Sequence, residues 1–208
     1  MIPGIVLAAG KSSRMGRPKS LLPVEPGGES FLERITRVLL EGGVEEVIVV
    51  LGSEASAIRA AVPWEKTTRT RLVENPDYEQ GQLSSLVAGL RAADRPGVRA
   101  VLVTLVDIPL VSAATVRAVL HAYRASGGAP IVRPARRGRF GHPVIFDRRL
   151  FEELRHADPA AGAKMVVRAH SAEAWGVEVP DPGAFISIET PQDYERYIGP
   201  FPGAPPRP

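Results

Sequence analysis

The chain has 208 residues, 44% of them hydrophobic and 24% charged, no cysteine, and a formal net charge of +3. The length suits one domain with a full core, and the absence of cysteine excludes disulfides, thiol nucleophiles, iron–sulfur clusters and cysteine-based zinc sites. The first apolar residues precede the first basic ones, the reverse of a secretory signal. No stretch reaches the roughly 18–20 apolar residues of a membrane helix, so we expect a cytoplasmic protein with no membrane partner.

Hydrophobic patterning predicts alternating strands and helices along the chain. Two capping boxes, Ser30 with Glu33 and Thr190 with Asp193, mark helix starts. The predicted strands cover residues 5–9, 47–51, 71–74, 100–106, 129–133, 144–146 and 184–188. The predicted helices cover residues 28–43, 53–61, 83–93 and 112–124, with one opening at 158–159 and a last one at Thr190.

Strands that are apolar on both faces and separated by helices predict a three-layer α/β/α fold with a mostly parallel, Rossmann-like sheet. Ligands of such sheets bind outside the carboxyl ends of the strands. We expect a single domain over residues 1–198. Residues 199–208 contain five prolines in ten positions and are expected to form an unpacked, disordered tail.

The positive charge is concentrated in two stretches. Residues 10–20 carry four basic side chains and no acid, a net +4, and residues 133–149 carry six arginines and one acid, a net +5. Because the whole chain carries +3, the remainder is acidic, at −6. Two basic islands on an acidic protein favour a compact anionic ligand and argue against nucleic acid, which would need a continuous basic stripe.

The first basic island lies in the segment LAAGKSSRMGRPK, residues 7–19, between the first predicted strand and helix. Two phosphate-binding motifs fail on spacing. A P-loop ending at Gly10 needs a glycine at position 5, which is Ile5, and Gly10 and Gly16 are too far apart for a dinucleotide fingerprint. The composition still indicates a phosphate site, because small residues admit close approach to the backbone and Arg14 and Lys19 supply fixed positive charge.

This segment resembles the LAAGxSxRMGxxK signature of the MobA-like nucleotidyltransferases, and within them most closely the molybdenum cofactor cytidylyltransferases. Weaker matches follow in order: NP at 75–76, GQLSSL at 81–86, VDIPL at 106–110, GHP at 141–143 and TPQDY at 190–194. The resemblance implies a fold of the nucleotide-diphospho-sugar transferase type and Mg²⁺-dependent nucleotide transfer. The nucleotide would be CMP from CTP, since the segment reads LAAG and not LAGG, and the acceptor molybdopterin or a related phosphorylated compound. A molybdoenzyme becomes a candidate partner.

The resemblance also implies roles for individual residues. Arg14, Lys19 and Asp107 would be catalytic, with the two cations holding the triphosphate. Asp107 would bind Mg²⁺, joined by Glu189; a carboxylate that ends a buried strand suits this role independently. Two positions would contact the acceptor, His142 and Lys164. The nucleotide-binding residues would be Leu7, Ala8, Ala9, Gly10, Ser12, Asn75, Gly81 and Ser85.

Two departures from the family pattern leave alternatives open. Ser187 stands where the family commonly has an acid, and Lys164 stands where it has arginine, which alone makes a bidentate fork. The alternatives are a cytidylyltransferase for a sugar- or polyol-phosphate, and a catalytically weak nucleotide- or cofactor-binding accessory protein for a molybdoenzyme. His142 and Ser85 also have simple interpretations, as a turn histidine and a helix-cap residue.

Overall fold

The computed structural model describes residues 1–25, 27–62 and 69–203. In chain order the elements are β1 (Gly4–Ala8), α1 (Phe31–Gly42), β2 (Val47–Leu51), α2 (Ala55–Ala61), β3 (Thr70–Glu74), α3 (Gln82–Ala93), β4 (Ala100–Leu105), α4 (Ala113–Ala125), β5 (Ile131–Arg136), β6 (Arg139–Phe140), β7 (Val144–Asp147), α5 (Phe151–Arg155), α6 (Lys164–Ala169), β8 (Trp175–Glu178) and α7 (Pro191–Tyr197). Short 3₁₀ turns lie at Lys19–Leu21, Tyr78–Gln80, Arg148–Leu150 and Pro182–Phe185.

The strands form one mixed sheet in the order β3-β2-β1-β4-β7-β5-β6, with β8 paired to β5. The pairs β1–β2, β2–β3, β1–β4 and β5–β8 are parallel, whereas β7 runs antiparallel to both β4 and β5. The expected mostly parallel sheet is therefore confirmed, with β7 and β6 reversed. Strand order changes direction at β1, so the crevice for a ligand lies beyond the carboxyl ends of β1 and β4.

Helices cover both faces of the sheet. On one face α1 and α4 pack through Ile35, Leu39 and Leu120, which are buried against β1 and β2. On the other face α3, α5 and α6 pack through residues such as Leu90 and Leu154. In β1 and β2 every residue is buried. Because successive residues of a strand point to opposite faces of the sheet, both faces must be covered by helices, which gives the three-layer arrangement.

The two predicted capping boxes are present, with Ser30 and Glu33 starting α1 and Thr190 and Asp193 starting α7. The strand expected over 184–188 is wrong. Asp181 accepts a hydrogen bond from the Gly183 amide (2.8 Å) and caps the turn Pro182–Phe185 instead.

The prediction of a helix that begins at residues 158–159 is also wrong in the position of the first residue. The chain makes turns there, and α6 begins only at Lys164, two residues after Gly162 adopts a left-handed φ of +65°. A left-handed residue cannot continue a right-handed helix.

The first part of the proline-rich tail lies on the domain. The ring of Phe201 packs edge-on against Tyr194, with centroids 5.5 Å apart, and the Arg17 guanidinium lies 5.4 Å from the Phe201 ring. Residues 204–208 lie outside the described residues. None of the helices in the described ranges is long and apolar enough to span a membrane.

Candidate active site

A cavity of about 250 Å³ opens where β1 and β4 end, at the edge predicted for ligand binding. Three parts of the chain form its walls: the loop that follows β1, the end of β4, and the start of α3 with the turn before it. The residues that line it are Leu7, Ala9, Gly10, Ser12, Lys19, Ser20, Tyr78, Gly81, Gln82, Ser85, Leu105, Val106 and Asp107. The cavity thus brings together most of the predicted nucleotide-binding residues with Lys19 and Asp107.

Ser12 organises the loop that follows β1. Its backbone adopts a left-handed φ of +51°, and its hydroxyl accepts a hydrogen bond from the Lys19 amide at 3.1 Å. Burial raises the pKa of the Glu54 carboxyl, and a hydrogen bond with Ser12 opposes that shift. Met15, 2% exposed, packs into a small core with Phe31 and anchors the middle of the loop. These contacts fold the loop back so that Lys19 faces the end of β4.

Lys19 and Asp107 form the pair at the bottom of the site. The Lys19 Nζ lies 3.6 Å from Asp107 Oδ2, and the two side chains are 13% and 19% exposed. The other carboxylate oxygen, Asp107 Oδ1, is buried and has no hydrogen-bond partner among the described residues. Buried polar atoms are almost always paired in folded proteins, so this oxygen indicates a group that completes the site.

Two further ion pairs join the loop to other walls. Lys11 pairs with Glu79, and Arg14 pairs with Glu189. The Ser187 hydroxyl donates to Glu189 at 3.3 Å. Arg14 is 67% exposed and Glu189 36% exposed, so this pair lies nearer the solvent than Lys19 and Asp107.

Glu189 is held close to Asp107 through the backbone. The Ile188 amide donates to the Asp107 carbonyl at 2.7 Å, which fixes the neighbouring Glu189 beside the end of β4. Within the described ranges no group of three or more His, Asp or Glu side chains is arranged to hold a metal. A cation at Asp107 would therefore need ligands from outside the protein.

Asn75, Gly81 and Ser85 have different roles in the opposite wall. Asn75 is buried, and its Nδ2 donates to the hydroxyls of Ser84 (2.9 Å) and Ser85 (3.1 Å) while its Oδ1 accepts from the Asp77 amide (3.0 Å). It holds the wall together from behind, whereas Gly81 and Ser85 line the cavity. Gly81 has a φ of +101° with open space where a side chain would be, so only glycine suits this turn.

The two residues expected at the acceptor are placed differently. His142 lies between β6 and β7; burial lowers its pKa, the charge of Arg133 lowers it further, and the Val103 carbonyl and Asp107 act in the opposite direction. Lys164 is exposed at the first residue of α6. Neither residue lines the cavity, but the negative charge of Asp107 acts to raise the pKa of His142.

Five lining residues were not predicted as site residues: Ser20, Tyr78, Gln82, Leu105 and Val106. Gln82 belongs to the GQLSSL stretch and Ser20 follows Lys19 directly, so the motifs point to their neighbourhood. Nothing in a single sequence distinguishes Tyr78, whose ring also lies 5.9 Å from the Lys11 Nζ.

Solved structures of similar chains have the same fold. The crystal structure of Rv0371c from Mycobacterium tuberculosis H37Rv is 31% identical, with a TM-score of 0.77 over 95% of this chain and 98% of that one. The same protein in complex with manganese is 30% identical by that comparison, with a TM-score of 0.73 over 95% and 97% of the two chains.

Curated relatives differ in their named reactions. The nicotine blue oxidoreductase of Paenarthrobacter nicotinovorans is 37% identical over 70% of this chain and 71% of that protein. The molybdenum cofactor cytidylyltransferase of Escherichia coli K12 is 25% identical over 93% of this chain and 95% of that protein.

Residues 4–174 match the family described as the MobA-like NTP transferase domain. With the parallel-sheet crevice, the LAAG loop and the Lys19–Asp107 pair in place, the chain belongs to the MobA-like NTP transferase domain family.

Proposed function

We propose that this protein is a Mg²⁺-dependent nucleotidyltransferase that transfers CMP from CTP to the phosphate of molybdopterin or a closely related phosphorylated acceptor. The observation that carries the proposal is the cavity in which Lys19 faces Asp107 at 3.6 Å while Asp107 Oδ1 has no partner within the described ranges. Membership of the MobA-like family and the similarity to a molybdenum cofactor cytidylyltransferase support the reaction class.

In this reaction an oxygen of the acceptor phosphate attacks the α-phosphorus of the nucleotide. A new oxygen–phosphorus bond forms as the bond to the bridging oxygen breaks, and the electron pair leaves with pyrophosphate. Because the attacking oxygen is already ionised, catalysis needs positioning and charge stabilisation more than a general base. This agrees with a cavity that no histidine lines among the described residues.

The basic loop would hold the triphosphate. Lys19 is nearly buried and fixed by the Ser12 contact, so its ammonium would stabilise charge that develops at the α-phosphate. Arg14 is more exposed and would bind the outer phosphates after it leaves Glu189. The backbone of Leu7–Gly10 and the opposite wall at Gly81 and Ser85 would enclose the base and ribose.

The carboxylates fit the requirements of Mg²⁺. This ion commonly takes one or two protein carboxylates and completes its shell with water and substrate phosphates. Asp107 has a buried oxygen without a partner in the described part of the chain, and the Ile188–Asp107 backbone bond places the next residue, Glu189, near the end of β4. When bound, Mg²⁺ would neutralise phosphate charge; the manganese complex of the M. tuberculosis relative supports a divalent cation.

The choice of CTP rests on the LAAG segment, which the resemblance associates with the cytidylyltransferases. Ala9, the residue that distinguishes LAAG from LAGG, lines the cavity. Its Cβ and carbonyl oxygen lie against Gly52, where an added Cβ would be 2.8 Å and 2.5 Å away, so glycine is required beside it.

The test measures pyrophosphate release with Mg²⁺, purified molybdenum cofactor and each of the four nucleoside triphosphates in turn. We expect release with CTP alone. Release with another nucleotide would overturn the choice of CTP. Tight nucleotide binding without release, unaffected by Asp107→Ala, would contradict the enzyme and favour the accessory protein.

One alternative acceptor class has a specific observation in its favour. Lys164, expected to bind the acceptor, is exposed and lies outside the cavity lining, which is consistent with acceptor contacts that differ from the family pattern. A sugar- or polyol-phosphate cytidylyltransferase would give pyrophosphate release with CTP and a polyol phosphate but none with the molybdenum cofactor. The same assay therefore separates the two acceptors.

A further inference from the structure

A second cavity lies along α3, between β3 and the segment that follows α5. Its volume is about 570 Å³, more than twice that of the cavity in the candidate active site. Small-molecule sites commonly occupy roughly 300–1,000 Å³. Among the described residues the two cavities share no lining residue, and neither Asp107 nor His142 nor Lys164 lines the second one. The second cavity is therefore separate from the nucleotide and from the expected acceptor residues.

The interior of the second cavity is apolar and elongated. Val73, Val87 and Ala88 line it, and all three are partly buried against the hydrophobic core. Ser84, Val87, Ala88 and Arg91 also line it, at the spacing of one face of a helix. The seven positions from Ser84 to Arg91 cover about 10 Å along the helix axis. This shape suits a flat apolar body of two fused rings.

One cation at the rim of the second cavity has no acidic partner. Arg91 is exposed in the last turn of α3 and forms no ion pair within residues 1–25, 27–62 and 69–203. The other charged side chains of the lining are already engaged, in the pairs Glu74–Arg59 (2.8 Å), Arg155–Asp94 (2.5 Å) and Asp77–Gln80 (3.2 Å). Asp77 precedes α3, at the other end from Arg91. The charges of the lining therefore favour an anionic group at the Arg91 end.

Asn75 connects the second cavity to the candidate active site. It is 4% exposed, and its Nδ2 donates to the hydroxyls of Ser84 (2.9 Å) and Ser85 (3.1 Å), which line the second and the first cavity respectively. The Ser84 hydroxyl in turn donates to the carbonyl oxygen of Gly81 (2.8 Å), another residue of the first cavity. A ligand over Ser84 would exclude water from these hydrogen bonds, and hydrogen bonds are stronger in dry surroundings. Occupancy of the second cavity would thus stabilise the Gly81–Ser85 wall of the first.

We infer that the second cavity binds an amphipathic monocarboxylate with an aromatic body of two fused rings, and that its occupancy tightens nucleotide binding. The carboxylate pairs with Arg91, where a charge-assisted hydrogen bond is available, and the rings cover Val87, Ala88 and Ser84. By linkage, bound nucleotide tightens the carboxylate by the same factor. The site follows from its lining residues alone, whereas the coupling rests on the proposed function, because it needs a nucleotide in the first cavity.

Calorimetric titration of the full-length protein with 2-naphthoate tests the site, with 2-naphthamide as an uncharged ligand of the same shape. We expect saturable binding of 2-naphthoate and at least five-fold weaker binding of the amide. Arg91→Gln should weaken 2-naphthoate at least five-fold and leave the amide within two-fold.

Arg168→Gln is the matched control. Arg168 is likewise exposed in the last turn of its helix, α6, forms no ion pair among the described residues and lines neither cavity. Its substitution should leave the affinity for 2-naphthoate within two-fold. No saturable binding, equal affinities of wild type and Arg91→Gln, or equal losses in the two variants would overturn the site.

Nucleotide binding tests the coupling, with CTP and Mg²⁺ present and no acceptor, so that no turnover occurs. Saturating 2-naphthoate should lower the Kd of wild type for CTP at least three-fold. Ser84→Ala removes the link from Asn75 to Gly81, so this variant should bind 2-naphthoate while its Kd for CTP no longer responds. An unchanged Kd in wild type, or an equal response in Ser84→Ala, contradicts the coupling. If wild type binds no nucleotide, the proposed function fails while the 2-naphthoate titration still decides the site.

Discussion

At the scale of single residues, Asp107 has one carboxylate oxygen facing Lys19, and the other is buried without a partner in the part of the chain that the structure describes. Asp107→Asn keeps the size of the side chain but removes the charge that both a cation and Lys19 would face. We expect kcat/KM for pyrophosphate release to fall about 100-fold, equivalent to about 2.7 kcal/mol of transition-state stabilisation. Asp77→Asn, on the far side of the Asn75 network, is the control and should retain activity within about three-fold. A similar rate in both variants would exclude the role of Asp107.

A second residue-scale prediction concerns Gly141, which lies against the backbone before Ser187 and Glu189. A Cβ there would lie 2.2 Å from the Ala184 carbonyl oxygen and 2.8 Å from the Phe185 ring. Gly141→Ala should lower the free energy of unfolding by about 1–3 kcal/mol, because backbone cannot move aside as a flexible side chain does. Urea unfolding checks this, with Gly10→Ala as control, since a Cβ at Gly10 meets nothing within 4 Å. Equal midpoints would contradict the packing argument.

At the scale of elements, Asp181 ties the turn Pro182–Phe185 to the start of α4. Its carboxylate accepts from the Ser112 amide (2.9 Å), the Thr115 hydroxyl (2.7 Å) and the Gly183 amide (2.8 Å). Burial would raise its pKa, but these hydrogen bonds outweigh burial and hold the pKa of Asp181 below its ordinary value. The carboxylate therefore stabilises the fold above about pH 4, and this contribution is lost as the pH falls further.

Urea unfolding at several pH values tests this assignment. In wild type the free energy of unfolding should fall as the pH drops below about 4, because the unfolded chain takes up the proton first. Asp181→Asn should be less stable at pH 7 and should show a flatter decline in acid. If the free energy of unfolding of the variant falls in acid as steeply as that of wild type, other carboxylates cause the decline and the assignment to Asp181 is wrong.

At the scale of the whole molecule, the end of the chain returns to the nucleotide loop near its beginning. Phe201 contacts Tyr194 of α7 and Arg17 of the loop, and Tyr194 in turn stacks on Phe31 with centroids 6.1 Å apart. Phe201→Ala should lower the free energy of unfolding by about 1 kcal/mol and raise the KM for CTP, because the loop loses a support. Calorimetry and the pyrophosphate assay measure the two effects. Tyr197→Ala, at a residue that is 38% exposed, serves as control.

The sequence predicted the buried strands and the capped helices well, and it predicted the exposed strands poorly. The run VIVVL predicted β2 to the residue, and the two capping boxes placed α1 and α7, because apolar runs and caps are local signals. The missed strands β6 and β8 are mostly exposed and have no apolar pattern. In the site, Asp107 was predictable because it ends a buried strand, whereas Tyr78 reaches the cavity only through tertiary folding.

The three ion pairs around the nucleotide loop have a consequence for ligand discrimination. Lys11, Arg14 and Lys19 each face one carboxylate, from Glu79, Glu189 and Asp107. The loop and the carboxylates that face it are therefore together close to electroneutral, so the phosphate groups of the proposed nucleotide would replace these internal counter-ions one by one. A triphosphate carries enough charge to replace several carboxylates, whereas a monophosphate does not. The protein would thereby distinguish CTP from CMP by the number of phosphates, with the base recognised separately in the cavity behind them.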